Sequence, residues 1–357
     1  MPNENKYKNE IKKEVKILGA IFTCNKNETS TINWELKIKK IDKIIKSYEN
    51  RNLSLCGKVL LANSVLLSQL WHVGVVLKID QKYINKIYKM LNKWFNGENG
   101  ENIIKLLNKS KANGGMGLLN VAQRLMAIKV KSLRFMMAGK TRTELEFITY
   151  WAGTKFFTLS GKHLIGPKCE NCVNDYGKTV NVMCKYKNQL SKIELLKVKD
   201  IEEIIFKVET NAPTYSGIYN GTSMKNVSLN FKIATNILKT AIKLNIQNRS
   251  CIYCKERVET IYHIFFECKT LEYLRKDAIK IIRTLRKDQQ KLTWNYLVNM
   301  KEIKHKMEYE IISIYKKIIW NSSTKIRWGG ERINITKLRV EMQKEIDFFA
   351  RNIHNGQ

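Results

Sequence analysis

Proline is scarce in this sequence, three residues in 357, and no run rich in Pro, Ser or Gly breaks it. A long linker is therefore excluded, although the length leaves room for two or three domains of ordinary size. Acidic residues are also few: Asp and Glu total 32 against 64 Lys and Arg, a formal net charge of +32. A surplus of that size repels itself and needs a polyanion to offset it, and nucleic acid is the commonest one. Lys, Asn and Ile all run high and the basic residues are spread along the chain, as an A/T-rich coding sequence alone would produce. The charge therefore supports a nucleic-acid partner without deciding it. A hydrophobic content of 44% is enough for a packed core.

Two further absences concern location. The N-terminal run MPNENKYKNEIKKEVK has no apolar core of the kind a secretory signal needs. Eight cysteines without such a signal point to a reducing, nuclear or cytoplasmic compartment, where clustered cysteines bind metal more often than they form disulfides. The stretch VLLANSVLLSQLWHVGVVL, residues 59–77, carries no formal charge. It is short for a membrane span, and Asn63, Ser64, Ser68, Gln69 and His72 interrupt it. It reads as a buried helix that gives way to a strand or loop after Gly74, so no membrane partner is expected. Sequons such as Asn321–Ser323 are chance matches in an Asn-rich intracellular chain.

What is present is mainly α, with a few short strands. VKILGAIF is a β-favouring run that suits a small hairpin. Residues 34–48 place Ile38, Ile41, Ile44, Ile45 and Tyr48 at helical spacing, with Lys37, Lys40, Lys43 and Lys46 largely off that stripe. DQKYINKIYKMLNKWF, residues 80–95, is a second amphipathic helix on Tyr83, Ile84, Ile87, Leu91 and Trp94, and it stops at the turn signal NGENG. NGGMGLLN, residues 113–120, is read as a glycine turn. No Lys-Ser/Thr follows it as a phosphate cradle requires. Asn120 then caps a helix over 121–138, with Gln123 at the capping-box position. Helical pattern returns over 230–244, 303–320 and 336–352, with RWGGER between the last two. Residues 140–225 are less periodic. Cys24 and Cys56 read as small core residues.

The chemistry concentrates in CIYCKERVETIYHIFFEC, residues 251–268, whose spacing is C-x2-C-x8-H-x4-C. Cys251 and Cys254 are spaced for a tight turn in which two thiolates grip one ion, and His263 and Cys268 supply a second pair. Four N/S donors close a tetrahedral zinc shell and leave no position for water, so one structural Zn2+ is expected, without catalysis. Residues five apart sit about 140° out of line on an ideal α-helix. The helix is therefore expected to begin near Glu259 or Thr260, present His263 and end before Cys268, with Ile261, Ile264 and Phe265 packing on the 230–244 helix. The alternative is three buried cysteines and a surface histidine that lie close by chance. A fainter group, His163, Cys169, Cys172 and Cys184, repeats only the C-x2-C spacing and reads rather as free thiols.

The run 251–268, preceded by NFKIATNILKTAIKLNIQNRS, closely resembles the zinc-binding module of non-LTR (LINE-like) retrotransposon reverse transcriptases. Cys251, Cys254, His263 and Cys268 match that module's ligands, and Glu259 and Thr260 match its acidic-Thr pair. Upstream, VKILGAIF resembles the strand that closes the palm of those polymerases. The stretch NWELKIKKIDKIIKSYENRNLSLCGKVLLANSVLLSQLWHV resembles their helical thumb, with RNLSLCGK as its clearest signature. LNKWFNGENG and KANGGMGLLNV resemble the segment that follows, and IIWNSSTKIR a tail helix.

The resemblance implies a palm-end strand and helical thumb-like region over 1–140, a connector over 141–225, the zinc-binding module over 226–275 and a helical tail over 276–357. The palm itself would lie upstream of Val15. Reverse transcription needs metal ions held by carboxylates, usually in an Asp-Asp turn, and no Asp-Asp dipeptide occurs in this sequence. No catalytic residue is therefore expected, and no small-molecule substrate. The partners implied are RNA and DNA, bound without sequence preference through phosphate contacts. Candidates are Lys37, Lys40, Arg51 and Lys58 in the thumb-like region and Arg249, Lys255 and Arg257 around the metal turn, with Tyr253 to stack on an unpaired base. For each, a solvated surface position is the alternative, and three thiolates on one zinc would also draw basic neighbours. Two other readings stay open: an active polymerase whose palm is encoded upstream, and a decayed element with no selected function.

Overall fold

The run VKILGAIF folds as a hairpin. Strand β1 (Glu14–Ile17) pairs antiparallel with β2 (Ala20–Thr23), Ile17 opposite Ala20, and Gly19 takes the left-handed φ of 83° that a tight reversal demands. The computed structural model describes residues 13–17, 19–97, 100–137, 182–183, 185–186, 197–206, 216–221, 223–244, 246–286, 293–300, 303 and 305–354. Among these the chain is mainly helical, with one two-stranded sheet, as expected. It forms two compact units. The first comprises Met1–Asn52, Leu60–Asn108 and Leu118–Glu209; the second comprises Leu53–Val59, Lys109–Gly117 and Thr210–Gln357.

In the first unit, helix α1 (Lys26–Tyr48) starts well before residue 34, because the Asn25 side chain accepts the N–H groups of Asn27 and Glu28. Its buried stripe is Trp34, Ile38, Ile41 and Ile45. The Asn33 amide fastens β2 to this helix, accepting the Ile21 N–H at 2.9 Å and donating to the Ile21 carbonyl at 2.6 Å. Helix α2 (Leu55–Val76) corrects the reading at Gly74, since it continues through that residue. A Cβ at Gly74 would lie 2.1 Å from Leu125 Cδ2, so the glycine admits a neighbouring side chain and does not end the helix. By length and composition α2 is apolar enough to cross a membrane. A core helix passes the same test, and Ala62, Leu66, Leu67, Leu70 and Val73 are fully buried within the protein.

Helix α3 (Gln81–Asn96) buries Tyr83, Ile84, Ile87, Leu91 and Trp94 as its periodicity requires, and stops at Gly97 with φ 80°. Asn120 caps α4 (Val121–Met137) through the Gln123 N–H at 3.2 Å. Helix α5 (Val198–Ile205) packs on α4 around Ala127, Val130, Met183, Ile201 and Ile205. It lies in the 141–225 connector, most of which lies outside the described residues. Cys24 is exposed and Cys56 half-buried, so neither is the core residue it resembled.

The second unit is built on α9 (Lys306–Gly329), reached through α6 (Met224–Ala234), α7 (Glu272–Arg286) and α8 (Trp294–Asn299), and followed by α10 (Ile335–His354). Two of these bounds correct the sequence reading. Helix α6 ends at Ala234 instead of running to 244, because Asn236 turns left-handed (φ 57°) and Ile237 and Leu238 both donate back to the Lys232 carbonyl. Helix α9 runs nine residues past 320, to Gly329. The Ser323 and Thr324 hydroxyls satisfy carbonyls of their own helix, and Gly330, at φ 65°, is the actual stop. Residues Glu308 to Lys316 of α9 are all buried, and several of their polar groups are hydrogen-bonded inside. Tyr296 donates to Glu308 at 2.6 Å, Asn230 to Ser313 at 2.8 Å, and Lys316 to the Val298 carbonyl at 3.1 Å.

The glycine run 114–117 behaves as a turn. Its amides are already committed, Gly114 to Lys111, Gly115 to Ser110 and Gly117 to Lys109, so they cannot cradle a phosphate. A Cβ at Gly115 would stand 2.0 Å from the Lys109 carbonyl oxygen, whereas one at Gly329 would meet nothing within 4 Å. Gly115→Ala is expected to destabilise the protein by about 1–3 kcal/mol through forced backbone movement. Gly329→Ala is expected to be neutral or to stabilise by about 0.4–1 kcal/mol. Denaturant unfolding of the two variants reads the contrast.

Candidate metal centre

The four candidate ligands sit on two short elements with different reasons to be where they are. Cys251 and Cys254 belong to a tight reversal anchored by the Ser250–Val258 bridge. The Cys251 N–H donates to the Arg257 carbonyl at 2.6 Å, the Lys255 N–H to the Cys251 carbonyl at 2.8 Å, and Lys255 takes a left-handed φ of 58° to close it. His263 and Cys268 come from the next turn of chain. Thr260 caps it, its hydroxyl accepting the His263 N–H at 2.9 Å. Residues His263–Glu267 then form a π-turn, in which the Cys268 N–H reaches back to the His263 carbonyl at 2.7 Å.

That wider turn answers the five-residue problem. An α-turn would leave Cys268 about 140° from His263, but a π-turn closes its hydrogen bond over five residues and brings the two back to one side. The expected start near Thr260 and exit before Cys268 are what the structure shows. Ile261, Ile264 and Phe265 are buried as expected, although the helix proposed to receive them ends earlier.

The four side chains form a Cys3His cluster that can hold a metal ion. Their ligand atoms all lie within 4.8 Å of one another. Cys251 Sγ is 3.9 Å from Cys268 Sγ, and Cys254 Sγ is 3.3 Å from His263 Nε2. Cys251, His263 and Cys268 are buried and Cys254 is half-buried. With Nε2 turned to the cluster, the proton of neutral His263 belongs on Nδ1, which is buried and without a hydrogen-bond partner. A hydrogen bond from Cys251 pulls the Cys268 thiol down to about 5, and the same bond, followed by burial, pushes Cys251 up.

A second set of residues fixes the cluster from outside. The Glu259 carboxylate is fully buried. Its Oε1 accepts the Ala241 N–H at 2.8 Å and the Arg327 guanidinium, and its Oε2 accepts the Ile252 N–H at 3.2 Å, between the two turn cysteines. The Tyr253 hydroxyl donates to the Ile319 carbonyl, and the Tyr315 hydroxyl to the Phe265 carbonyl at 2.9 Å. Three side-chain bonds therefore pin the metal turn and the π-turn to α9.

These contacts correct one assignment. Tyr253 is only 4% exposed, so its ring cannot stack on a base; it is an anchor. Arg249, Lys255 and Arg257 are exposed around the turn, Arg257 beside Glu267 at 3.4 Å. In the first unit Lys40 and Arg51 are exposed, the latter over the Tyr48 ring at 4.5 Å. Lys37 is half-buried, and burial with Lys40 and Lys16 nearby lowers its pKa. Lys58 is half-buried in the second unit. Arg327 was missed by sequence reasoning, because nothing local distinguishes it from the other basic residues of its helix. The fainter group His163, Cys169, Cys172 and Cys184 lies outside the described residues. Among the described residues the Cys3His group is the one such cluster.

No known protein-family model matches the chain, and no curated protein matches it. The site is therefore tested on its own chemistry. Cys254→Ser is expected to abolish stoichiometric metal and to loosen residues 225–275, read by metal analysis and hydrogen exchange. Glu259→Ala removes no ligand, yet strands the buried Arg327 charge. It is expected to cost about 3–5 kcal/mol and to weaken metal binding about 10–100-fold in a chelator competition. Glu267→Ala, which breaks only the exposed pair with Arg257, is expected to cost at most about 1 kcal/mol.

Proposed function

We propose that the chain is a non-catalytic, nucleic-acid-binding part of a non-LTR retrotransposon reverse transcriptase, with one structural zinc ion held by Cys251, Cys254, His263 and Cys268. The observation that carries this reading is the convergence of the C-x2-C-x8-H-x4-C side chains on one point. Zinc–sulfur bonds of about 2.3 Å in a tetrahedron place sulfurs about 3.8 Å apart, and Cys251 and Cys268 stand 3.9 Å apart. Three soft thiolates and an imidazole suit zinc over hard cations. Four protein ligands leave no open position for a reacting water, so the ion's contribution is to folding.

Motif order supports the family. VKILGAIF, RNLSLCGK and NGGMGLLN precede the cysteine cluster in the sequence that the resemblance requires. The reading gives this chain no polymerase chemistry of its own, because it contains no Asp-Asp pair to hold the metal ions of phosphoryl transfer.

The nucleic-acid partner is supported by the +32 charge and by the exposure of Lys40, Arg51, Arg249, Lys255 and Arg257. Phosphate contacts of this kind bind through counterion release, each contributing about −0.7 to the slope of log affinity against log salt on a single strand. The zinc-loaded chain is expected to bind single-stranded RNA and DNA of unrelated sequence with similar affinity, falling steeply from low to high salt. Replacing Lys255 and Arg257 by Glu is expected to flatten that slope. Affinity that stays constant across the salt range would sink the nucleic-acid reading.

A further inference from the structure

The π-turn buries His263, Ile264 and Phe265 and turns the residues on either side of them outward. Tyr262 and Phe266, four residues apart, hold their ring centres 5.4 Å from one another. Trp294, the first residue of α8, joins them and meets both rings edge to face, at 4.6 Å from Tyr262 and 5.9 Å from Phe266. Contacts of this kind hold the rings in defined orientations. The cluster nevertheless reaches water: Tyr262 is 41% exposed, and Phe266 and Trp294 are only half-buried.

The border of this patch is basic. Arg275 of α7 places its guanidinium 6.0 Å from the Phe266 ring centre. Arg257 reaches across from the metal turn to Glu267, the residue after Phe266, at 3.4 Å and stays exposed. Lys255 and Lys269 are exposed immediately after the cysteines at 254 and 268, and Glu256 adds one exposed carboxylate between two cations. Charge complementarity therefore selects the occupant. An unpaired base offers a flat face to an aromatic ring, and the phosphates on either side of it match the cations. A duplex keeps those faces stacked within itself.

We propose that Tyr262, Phe266 and Trp294 form a stacking surface for the unpaired bases of a single strand, with Tyr262 as the leading ring. That the chain meets nucleic acid at all rests on the function proposed above; the surface adds which side chains meet the bases and that the strand is unpaired. Tyr262 takes the part that burial denies to Tyr253. The surface shares a turn with His263 and Cys268, so an ion that orders this turn also sets the position of its outward rings.

The test uses the full chain purified with zinc and two probes, a single-stranded DNA of mixed sequence and an abasic strand of the same length, which carries the phosphates without the bases. Tyr262→Leu is expected to bind the normal strand about 5–100-fold more weakly than the parent and the abasic strand equally well. Its salt slope is expected to match the parent's, because stacking releases no counterions. Tyr262 is exposed and is not a candidate ligand; Tyr262→Trp, which restores a stacking ring, is expected to bind as the parent does. Equal weakening on both strands would overturn the surface, since a damaged fold loses phosphate contacts as well. Normal-strand binding that Tyr262→Leu leaves unchanged would overturn the surface alone, and loss of self-association by that variant in sedimentation would then assign the patch to a second copy of the chain. A parent that binds neither strand would remove the nucleic-acid reading and this surface with it.

Discussion

A carboxylate with no access to water must find its hydrogen bonds inside the protein, and Glu259 finds them on three separate parts of the chain. It takes one N–H from Ala241, just beyond α6, a second from Ile252, inside the C-x2-C turn, and a guanidinium from Arg327 near the end of α9. Removing either charged partner would leave the other buried and alone, a far larger cost than the pair's net worth in the folded state. The arrangement therefore specifies position more than it adds stability. It fixes the backbone between two candidate metal ligands against the central helix of its unit.

The Cys3His cluster that can hold a metal ion lies on the same loop. Its two halves come from different backbone devices, a left-handed reversal at Lys255 and a π-turn at His263–Glu267. The π-turn brings a histidine and a cysteine five residues apart into one cluster that can hold a metal ion. Tyr253 and Tyr315, donating to carbonyls on α9 and on the π-turn, keep both halves in register from outside. Ligands close the interior of the loop, while buried hydrogen bonds fix its exterior.

How much of this could be read from the sequence follows from distance along the chain. The hairpin at VKILGAIF, the stripes of α1 and α3, the cap at Asn120 and the four ligands are local patterns, and each is present. The early end of α6 was legible in principle, since Asn is among the few residues that accept the left-handed conformation seen at Asn236. What could not be read depends on packing between remote segments. Gly74 looked like a helix stop until Leu125 was placed over it, and Tyr253 looked like a base-stacking ring until Ile319 lay beneath its hydroxyl. Glu259 and Thr260 matched a pattern without a stated task. Their tasks, an internal anchor and a helix cap, appear only once Arg327 and His263 are in place.

X-ray absorption at the zinc edge on the purified full chain tests the metal assignment most directly. Three sulfur neighbours at about 2.3 Å and one nitrogen at about 2.0–2.1 Å are predicted, at one ion per chain. A shell of oxygen and nitrogen alone, or a protein that folds with the four ligand side chains metal-free in the presence of excess zinc, would contradict it.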